Sequence, residues 1–385
     1  LSNVFNYQEY GDISMKDEIA GNLTRYRKAL HISQERLAEK AGVTRQSINN
    51  YEKGKTLPDS KTLSSLAYVL GVTLDDLLRP EGEDELLFRF RARASFAKQP
   101  QFAAQVLQKL ETYTQLEQVV GLRPYSPEST PCDKVQGNEA YIQEIATQFR
   151  RRLGLGDAPI ANLFNTVEGI GLKVLRCPLP IEGFFGLSAC SVDHGAFILI
   201  NTDKITIEKQ LFTLAHEIGH LIFHRGDYRD TLKEEGTKEE EKAREKVSDY
   251  FAGHLLVAQS EFDRVFRFTK DILKLKQYFR VSYQVILSRL AEMRLIDYGK
   301  ELAKIRAIYR DKHGNPLQGC IELDPKLDLK EFPENERYIN LIWQALTIDE
   351  ITETTAAELL GRTLEDLGNE RLHRHRQDSE VYAIS

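Results

Sequence analysis

The sequence predicts a multidomain chain: an all-α domain first, an α+β domain second, and a mostly helical region last. Three observations predict this. Residues 16–79 are densely helical in pattern and end at Arg79-Pro80. Residues 138–298 mix helices with short apolar strands. Between them, Pro124, Pro127, Pro131 and Gly137 stand among Ser and Thr, a composition that breaks regular structure. The length of 385 residues agrees, being too long for one small module. With 41% apolar and 29% charged residues, a sizeable core is expected and wholesale disorder is not.

Other classes are excluded by the same composition. A net charge of −6 rules out a chain that coats nucleic acid along its whole length. The four cysteines, Cys132, Cys177, Cys190 and Cys320, are far apart and form no CxxC. That excludes a disulfide scaffold and a cysteine-based zinc finger, and fits a reducing compartment, hence the cytoplasm. No run of about 18 apolar residues predicts a membrane span, and the polar stretch Leu1–Ser14 is not expected to act as a secretory signal. The first Met is Met15, so residues 1–15 are expected to be a disordered extension.

In the first domain, Ser33 is placed to cap the helix Gln34–Ala41, and Gly42 to end it. Thr44 caps a second helix, Arg45–Glu52, which stops at Lys53-Gly54. Two short helices about a Gly turn make a helix-turn-helix. The second carries Arg45, Gln46, Asn49 and Asn50 near its start. Arg can fork onto guanine, and Gln or Asn onto adenine, in the major groove of duplex DNA. Asn is a poor helix former, so these residues are not there for helix stability. Residues 16–79 carry eleven Lys and Arg against eight Asp and Glu, a local +3 in an otherwise acidic chain. The pattern Leu30-x-x-Ser33-Gln34-x-x-Leu37-Ala38, Gly42-Val43-Thr44, Ile48-x-x-Tyr51-Glu52-x-Gly54 and Leu66-Ala67…Leu70-Gly71-Val72 resembles the phage-repressor (Xre, Cro/CI-like) family. The resemblance implies that Arg45, Gln46 and Asn50 face base edges, that Gln34 sits at a phosphate, and that Arg27 pairs with Glu52.

Residues 80–137 read as a linking helix followed by the Pro-rich linker. Leu86, Leu87, Phe90, Ala94, Phe102, Val106, Leu110, Tyr113 and Leu116 recur at helical spacing. Such a face serves either as a homodimer seam, since repressors of this kind bind two half-sites, or as packing against its own chain. The three prolines predict that the two ends act independently, so that a fragment starting near Gln136 would keep its metal and activity.

The α+β domain holds His216-Glu217-Ile218-Gly219-His220 in a helix from Ile207 to about His224, with Thr206 as cap. Histidines at i and i+4 lie one above the other on one face, about 6 Å apart. Two imidazoles so placed can bind one zinc ion, Zn2+. Glu217 flanks the metal without ligating it, and can take a proton from the attacking water and return it to the leaving amine. For a third ligand, His224 has the wrong spacing for the three-histidine zinc peptidases. Glu245 is the better candidate, on a helix Lys238–Leu256 where Asp249 stands one turn further on. Asp249 could hydrogen-bond a ring nitrogen of His216 or His220; a solvated charged face is the bland reading of the same pair. Ala196–Asn201, just before the histidine helix, is expected to be an edge strand able to pair with a substrate backbone.

Ala215–His224 followed by Glu245-x-x-Ser248-Asp249-x-Phe251-Ala252-x-x-Leu255-Leu256 resembles the ImmA/IrrE family of zinc-dependent regulatory endopeptidases. Gly186-Leu187-Ser188, Ile198–Asn201 and Ser282–Leu290 match it too. Asp249, where Asn is more usual, and Val257-Ala258, in place of Met-Pro, depart from it. The resemblance implies a zincin-like (gluzincin) metallopeptidase fold, with His216, His220 and Glu245 holding one zinc and Glu217 as base. It implies a protein substrate, often a repressor. His224, Tyr228 and Tyr250 are open candidates for stabilising the acyl oxygen.

Residues 299–385 are expected to be mostly helical after a strand at Ile305–Tyr309, with no role legible in them. Leu360–Leu367 weakly echoes Leu70–Leu77, which two similar helix ends explain as well as duplication does. The two resemblances together imply a DNA-binding transcriptional regulator with a zinc endopeptidase domain, acting in a stress, prophage or mobile-element response. The alternative is a non-proteolytic transcription factor, or an antitoxin-like protein, with a structural or sensory zinc site.

Overall fold

The computed structural model describes residues 6–29, 32–70, 72, 74–78, 100–130, 135, 137–191, 194–225, 238–317, 320–372 and 374. Leu86, Leu87, Phe90, Ala94, Pro131, Cys132 and Tyr228, all named above, lie outside them, as does most of the tail. The elements are α1 (Asn6–Ala29), α2 (Gln34–Ala41), α3 (Arg45–Glu52), α4 (Ser60–Leu70), α5 (Leu74–Leu78), α6 (Pro100–Val119), α7 (Glu139–Arg152) and α8 (Leu163–Gly169). There follow β1 (Lys173–Cys177), β2 (Gly186–Ser191), β3 (Gly195–Asn201), α9 (Ile207–Phe223), α10 (Lys238–Leu256), α11 (Gln259–Phe266), α12 (Ile272–Phe279), α13 (Tyr283–Glu292), α14 (Tyr298–His313), α15 (Glu336–Thr347) and α16 (Glu353–Leu360).

Helix α1 starts at Asn6, inside the stretch expected to be a disordered extension. Gly11 is the strongest opponent of the helix between Asn6 and Met15, at a cost of about 1 kcal/mol relative to Ala. The helix-turn-helix is built by local chemistry. Ser33 Oγ accepts from Arg36 N–H to cap α2, Gly42 closes it at φ +71°, and Thr44 caps α3 through Ser47 N–H. Leu23, Tyr26, Leu37, Ile48, Leu66 and Leu70 form its core.

The sheet has the order β1-β3-β2, with β1 parallel and β2 antiparallel to β3. Its period of two divides β3 cleanly. Ala196, Ile198 and Ile200 join the main core with α9 and α10, while Phe197 and Leu199 join a second core with Leu187 and Ala189. Val106 and Leu110 of α6 close that second core. Every residue of β3 is buried. The expectation of an edge strand at Ala196–Asn201 is therefore corrected: β3 is central, and β2 is an edge. A continuous apolar run such as Phe197-Ile198-Leu199-Ile200 is what a strand covered on both faces requires.

The packing of α6 accounts for the C-terminal part of that apolar face. Val106 and Leu110 meet the sheet, and Tyr113 and Leu116 meet Tyr338, Ile342 and Trp343 of α15. Those four side chains are used within the chain; the positions Leu86 to Ala94 of the same predicted face lie outside the described residues. Glu117, fully buried, pairs with the equally buried Lys173 of β1 at 2.7 Å and with Arg337 of α15 at 2.6 Å. The Pro-rich segment lies along the domain: Tyr125 O accepts from Ala196 N–H at 2.7 Å, and Thr130 N–H donates to Ile222 O at 2.8 Å. The boundary expected at the prolines is thus moved: α6 and the Pro-rich segment pack as part of the α+β domain. A fragment beginning near Gln136 would lose α6, uncover Phe197 and Leu199, and strand the Lys173 ammonium. Replacing Glu117 by Ala is expected to cost about 3–5 kcal/mol, because two buried cations lose their carboxylate; urea unfolding of the full chain measures it.

Two further corrections fall at the C-terminal side. Ile305–Tyr309 is helical, inside α14, because Asp297 caps the helix through Lys300 N–H and Gly314 ends it at φ +73°. Its apolar residues recur at three- and four-residue spacing, and Leu302, Ile305 and Tyr309 pack on Tyr283 and Leu287. Residues 320–335 wrap the α+β domain rather than stand apart. Buried Lys276 donates to Leu323 O and Pro325 O at 2.8 and 2.7 Å, Arg176 donates to Phe332 O at 2.8 Å, and Phe332 itself enters the main core.

Candidate metal centre and nucleic-acid interface

Helix α9 is the centrepiece of the domain and is buried along most of its length. Its tight approach to α10 depends on Gly219, where a Cβ would stand 3.1 Å from Ser248 Cα and 3.3 Å from Phe251 Cδ1. That approach brings Glu245 to the histidine pair. The Nε2 atoms of His216 and His220 are 2.9 Å apart. The Glu245 carboxylate oxygens lie 3.2 Å from His216 Nε2 and 3.3 Å from His220 Nε2. Among the described residues these three form the metal-competent cluster.

The donor set fits zinc. Tetrahedral bonds of about 2.0–2.1 Å separate neighbouring ligand atoms by about 3.3 Å, which is nearly the triangle found. Two imidazole nitrogens so close together also need a cation or a proton between them. Hydrogen bonds from His216 and His220 hold Glu245 well below the usual carboxylate range, against the opposing effect of burial. Burial opposes charge on His216, but hydrogen bonds to Asp249 and Glu245 outweigh it and raise the ring to about 9.

Each histidine is oriented from behind. Asp249 Oδ1 lies 2.8 Å from His216 Nδ1, which leaves Nε2 facing the cluster. His220 Nδ1 lies 3.1 Å from Nδ1 of His224. His224 is fully buried, and burial followed by the neighbouring His220 lowers it to about 3, so the ring is neutral. If His220 ligates through Nε2, its Nδ1 carries the hydrogen and His224 Nδ1 accepts it. His224 then bears its own hydrogen on Nε2, a buried atom with no hydrogen-bond partner among the described residues. His224 is thus outside the ligand triangle and behind it, and its burial takes it away from a substrate oxygen. Tyr250 lies tilted against His254 at a centroid distance of 4.5 Å.

Glu217, almost fully buried, accepts a hydrogen bond from Ser188 Oγ at 2.6 Å. The role of Ser188 was missed by sequence reasoning; its only signal was membership of the Gly186-Leu187-Ser188 match. Cys190 is buried and lies beside Ser126 Oγ at 3.2 Å and the Arg225 guanidinium at 3.5 Å, away from the ligand triangle.

In the first domain, Arg45 and Gln46 are exposed on α3, with Asn49 and Asn50 half-buried beside them. Gln46 Nε2 donates to Asn50 Oδ1 at 3.0 Å, which aligns the two amides. Arg27 pairs with Glu52, and Gln34 Nε2 donates to the same carboxylate at 2.7 Å. Gln34 therefore stands at the N-terminus of α2, anchored to the ion pair that joins α1 and α3.

Comparison with known proteins bears on both regions. Residues 23–77 match the helix-turn-helix family, and residues 167–291 match the family described as IrrE N-terminal-like domain. An HTH-type transcriptional regulator of Bacillus subtilis is 38% identical over 65 residues, 17% of this chain and 56% of the relative. A second from that organism, SPbeta prophage-derived, is 46% identical over 57 residues, 15% of this chain and 53% of the relative. An HTH-type transcriptional regulator of Methanocaldococcus jannaschii is 41% identical over 64 residues, 16% of this chain and 97% of the relative. The chain thus spans about half the length of the two Bacillus relatives and nearly all of the archaeal one. No helix among the described residues is long and apolar enough to cross a membrane.

Proposed function

We propose that this chain, which belongs to the helix-turn-helix transcriptional regulators and carries an IrrE N-terminal-like domain, binds an operator through α3 and cuts a regulatory protein with a gluzincin-type zinc site. The observation that carries the peptidase reading is the joint placement of three ligand-competent groups and a buried, serine-held carboxylate one residue from a ligand. His216, His220 and Glu245 would hold the ion. Bound there, zinc would supply Lewis-acid polarisation of the scissile carbonyl and of the attacking water. Glu217 takes the proton of that water and delivers it to the leaving amine, with Ser188 fixing the carboxylate's direction. A structural zinc site is closed by four protein ligands. Among the described residues the cluster has three, and the Glu245 side chain is 49% exposed, which leaves a side open to a peptide.

The substrate is proposed to be a partner repressor or another regulatory protein, met in the cytoplasm where the operator lies. Co-expression with the products of neighbouring genes, followed by mass mapping of any cleaved partner, tests this. Absence of any cleavage by the zinc-loaded chain would leave the non-proteolytic regulator.

For DNA, Arg45→Ala is expected to weaken binding at the cognate site by about 1–3 kcal/mol and to change little on random duplex. Titration of both duplexes at one salt concentration measures it. Equal loss on both would mean that Arg45 touches phosphate alone.

A further inference from the structure

Helix α9 carries a third residue in line with its two histidines. Lys209 precedes His216 by seven residues and His220 by eleven, close to two and three full turns, so all three project from one face. Its ammonium lies 4.5 Å from the ring centroid of Phe185 and 5.3 Å from that of Phe212. Phe212 in turn lies 6.3 Å from the His216 ring. The side chain is half-buried, and burial lowers its pKa against the opposing pull of Asp249 and Cys320.

Among the described residues Lys209 has no carboxylate within salt-bridge distance. Asp249, its nearest electrostatic counterweight, is engaged by His216. Two aromatic faces attract a cation through their ring quadrupoles but offer no acceptor for its three N–H groups. A desolvated ammonium in this state binds an incoming carboxylate well.

The strand β2 runs alongside. Gly186 abuts Thr213, where a Cβ would stand 2.6 Å from Cγ2, and Ser188 bonds Glu217. Edge strand and helix therefore run in the same direction, with Phe185 and Lys209 at one end of the track and the reacting groups further along. Lys209 sits about 10 Å along the helix axis from His216, which is about three residues of extended peptide.

We propose that Lys209, Phe185 and Phe212 form a subsite for an Asp or Glu side chain about three residues from the scissile bond of the substrate. This rests on the peptidase reading above and deepens it by naming a substrate class.

The test uses the zinc-loaded full chain carrying Glu217→Gln and fluorescent ten-residue peptides with a single Asp, Asn or Lys walked along an otherwise neutral sequence. Anisotropy is expected to show about tenfold tighter binding when Asp stands at one position than when Asn does. Lys209→Met should abolish that preference, and Lys209→Glu should turn it towards Lys, with zinc content unchanged in both. Equal binding of the Asp and Asn peptides, no binding of any peptide, or a preference that survives in Lys209→Met overturns the subsite. Cleavage of the same peptides by the chain with Glu217 intact is a separate arm. Its failure would count against the peptidase while leaving the binding result to decide the subsite.

Discussion

Glu217→Gln is expected to abolish cleavage while leaving zinc content and operator binding unchanged. The substitution keeps the shape of the side chain and can still accept from Ser188 Oγ, so the buried hydrogen bond at 2.6 Å has a replacement. It removes the basic carboxylate and with it the proton transfer. A positioned acid–base group contributes about 10²–10⁴-fold to rate, and the loss should fall on kcat rather than KM. Zinc by elemental analysis and DNA affinity by titration are the controls. Cleavage persisting at wild-type rate would remove Glu217 from the reaction.

Glu245→Ala is expected to remove most of the bound zinc at micromolar metal, because the two histidines alone leave the ion short of protein ligands. His224→Ala should act more mildly. It frees His220 Nδ1 from its partner at 3.1 Å, and loss of such an orienting group typically lowers metal affinity about 10–100-fold. The pH dependence follows from His216, raised to about 9 by its carboxylate neighbours. Below that pH the metal-free ring holds a proton that zinc must displace, so affinity should climb as pH rises from 7 towards 9 and level off above it. Competition with a chromogenic chelator across that range measures all three effects. Equal losses in Glu245→Ala and His224→Ala would mean that the third ligand is misassigned.

Much of this site was legible because helical spacing is local. His216 and His220, then Glu245 and Asp249, are i and i+4 pairs, and a period of 3.6 puts each pair on one face before any tertiary information is used. The caps Ser33, Thr44 and Thr206 marked helix starts for the same reason. The rest depended on contacts distant in sequence. Whether β3 lies at an edge depends on which strands flank it, and residues 173–177 and 186–191 say nothing locally about their order. That α6 closes a sheet depends on Lys173 and Arg337, 56 and 220 positions from Glu117. Ile305–Tyr309 was misread because β-branched and aromatic residues suggest strand, while Asp297 and Gly314, the caps that decide, lie further away.

The burial of Glu117 sets where this chain can be recombined. Helix α6 comes before the prolines, yet its side chains complete the sheet's second face. It belongs to the metal-bearing half by packing, though sequence order makes it part of the connection to the DNA-binding half. A natural or engineered exchange of DNA-binding modules would keep both halves intact only with a crossover on the N-terminal side of Pro100. A junction in the proline-rich stretch, the place that inspection of the sequence recommends, would pair one chain's Lys173 with another chain's helix. Shuffling would then be filtered by the match at that one carboxylate before the specificity of either half was put to use.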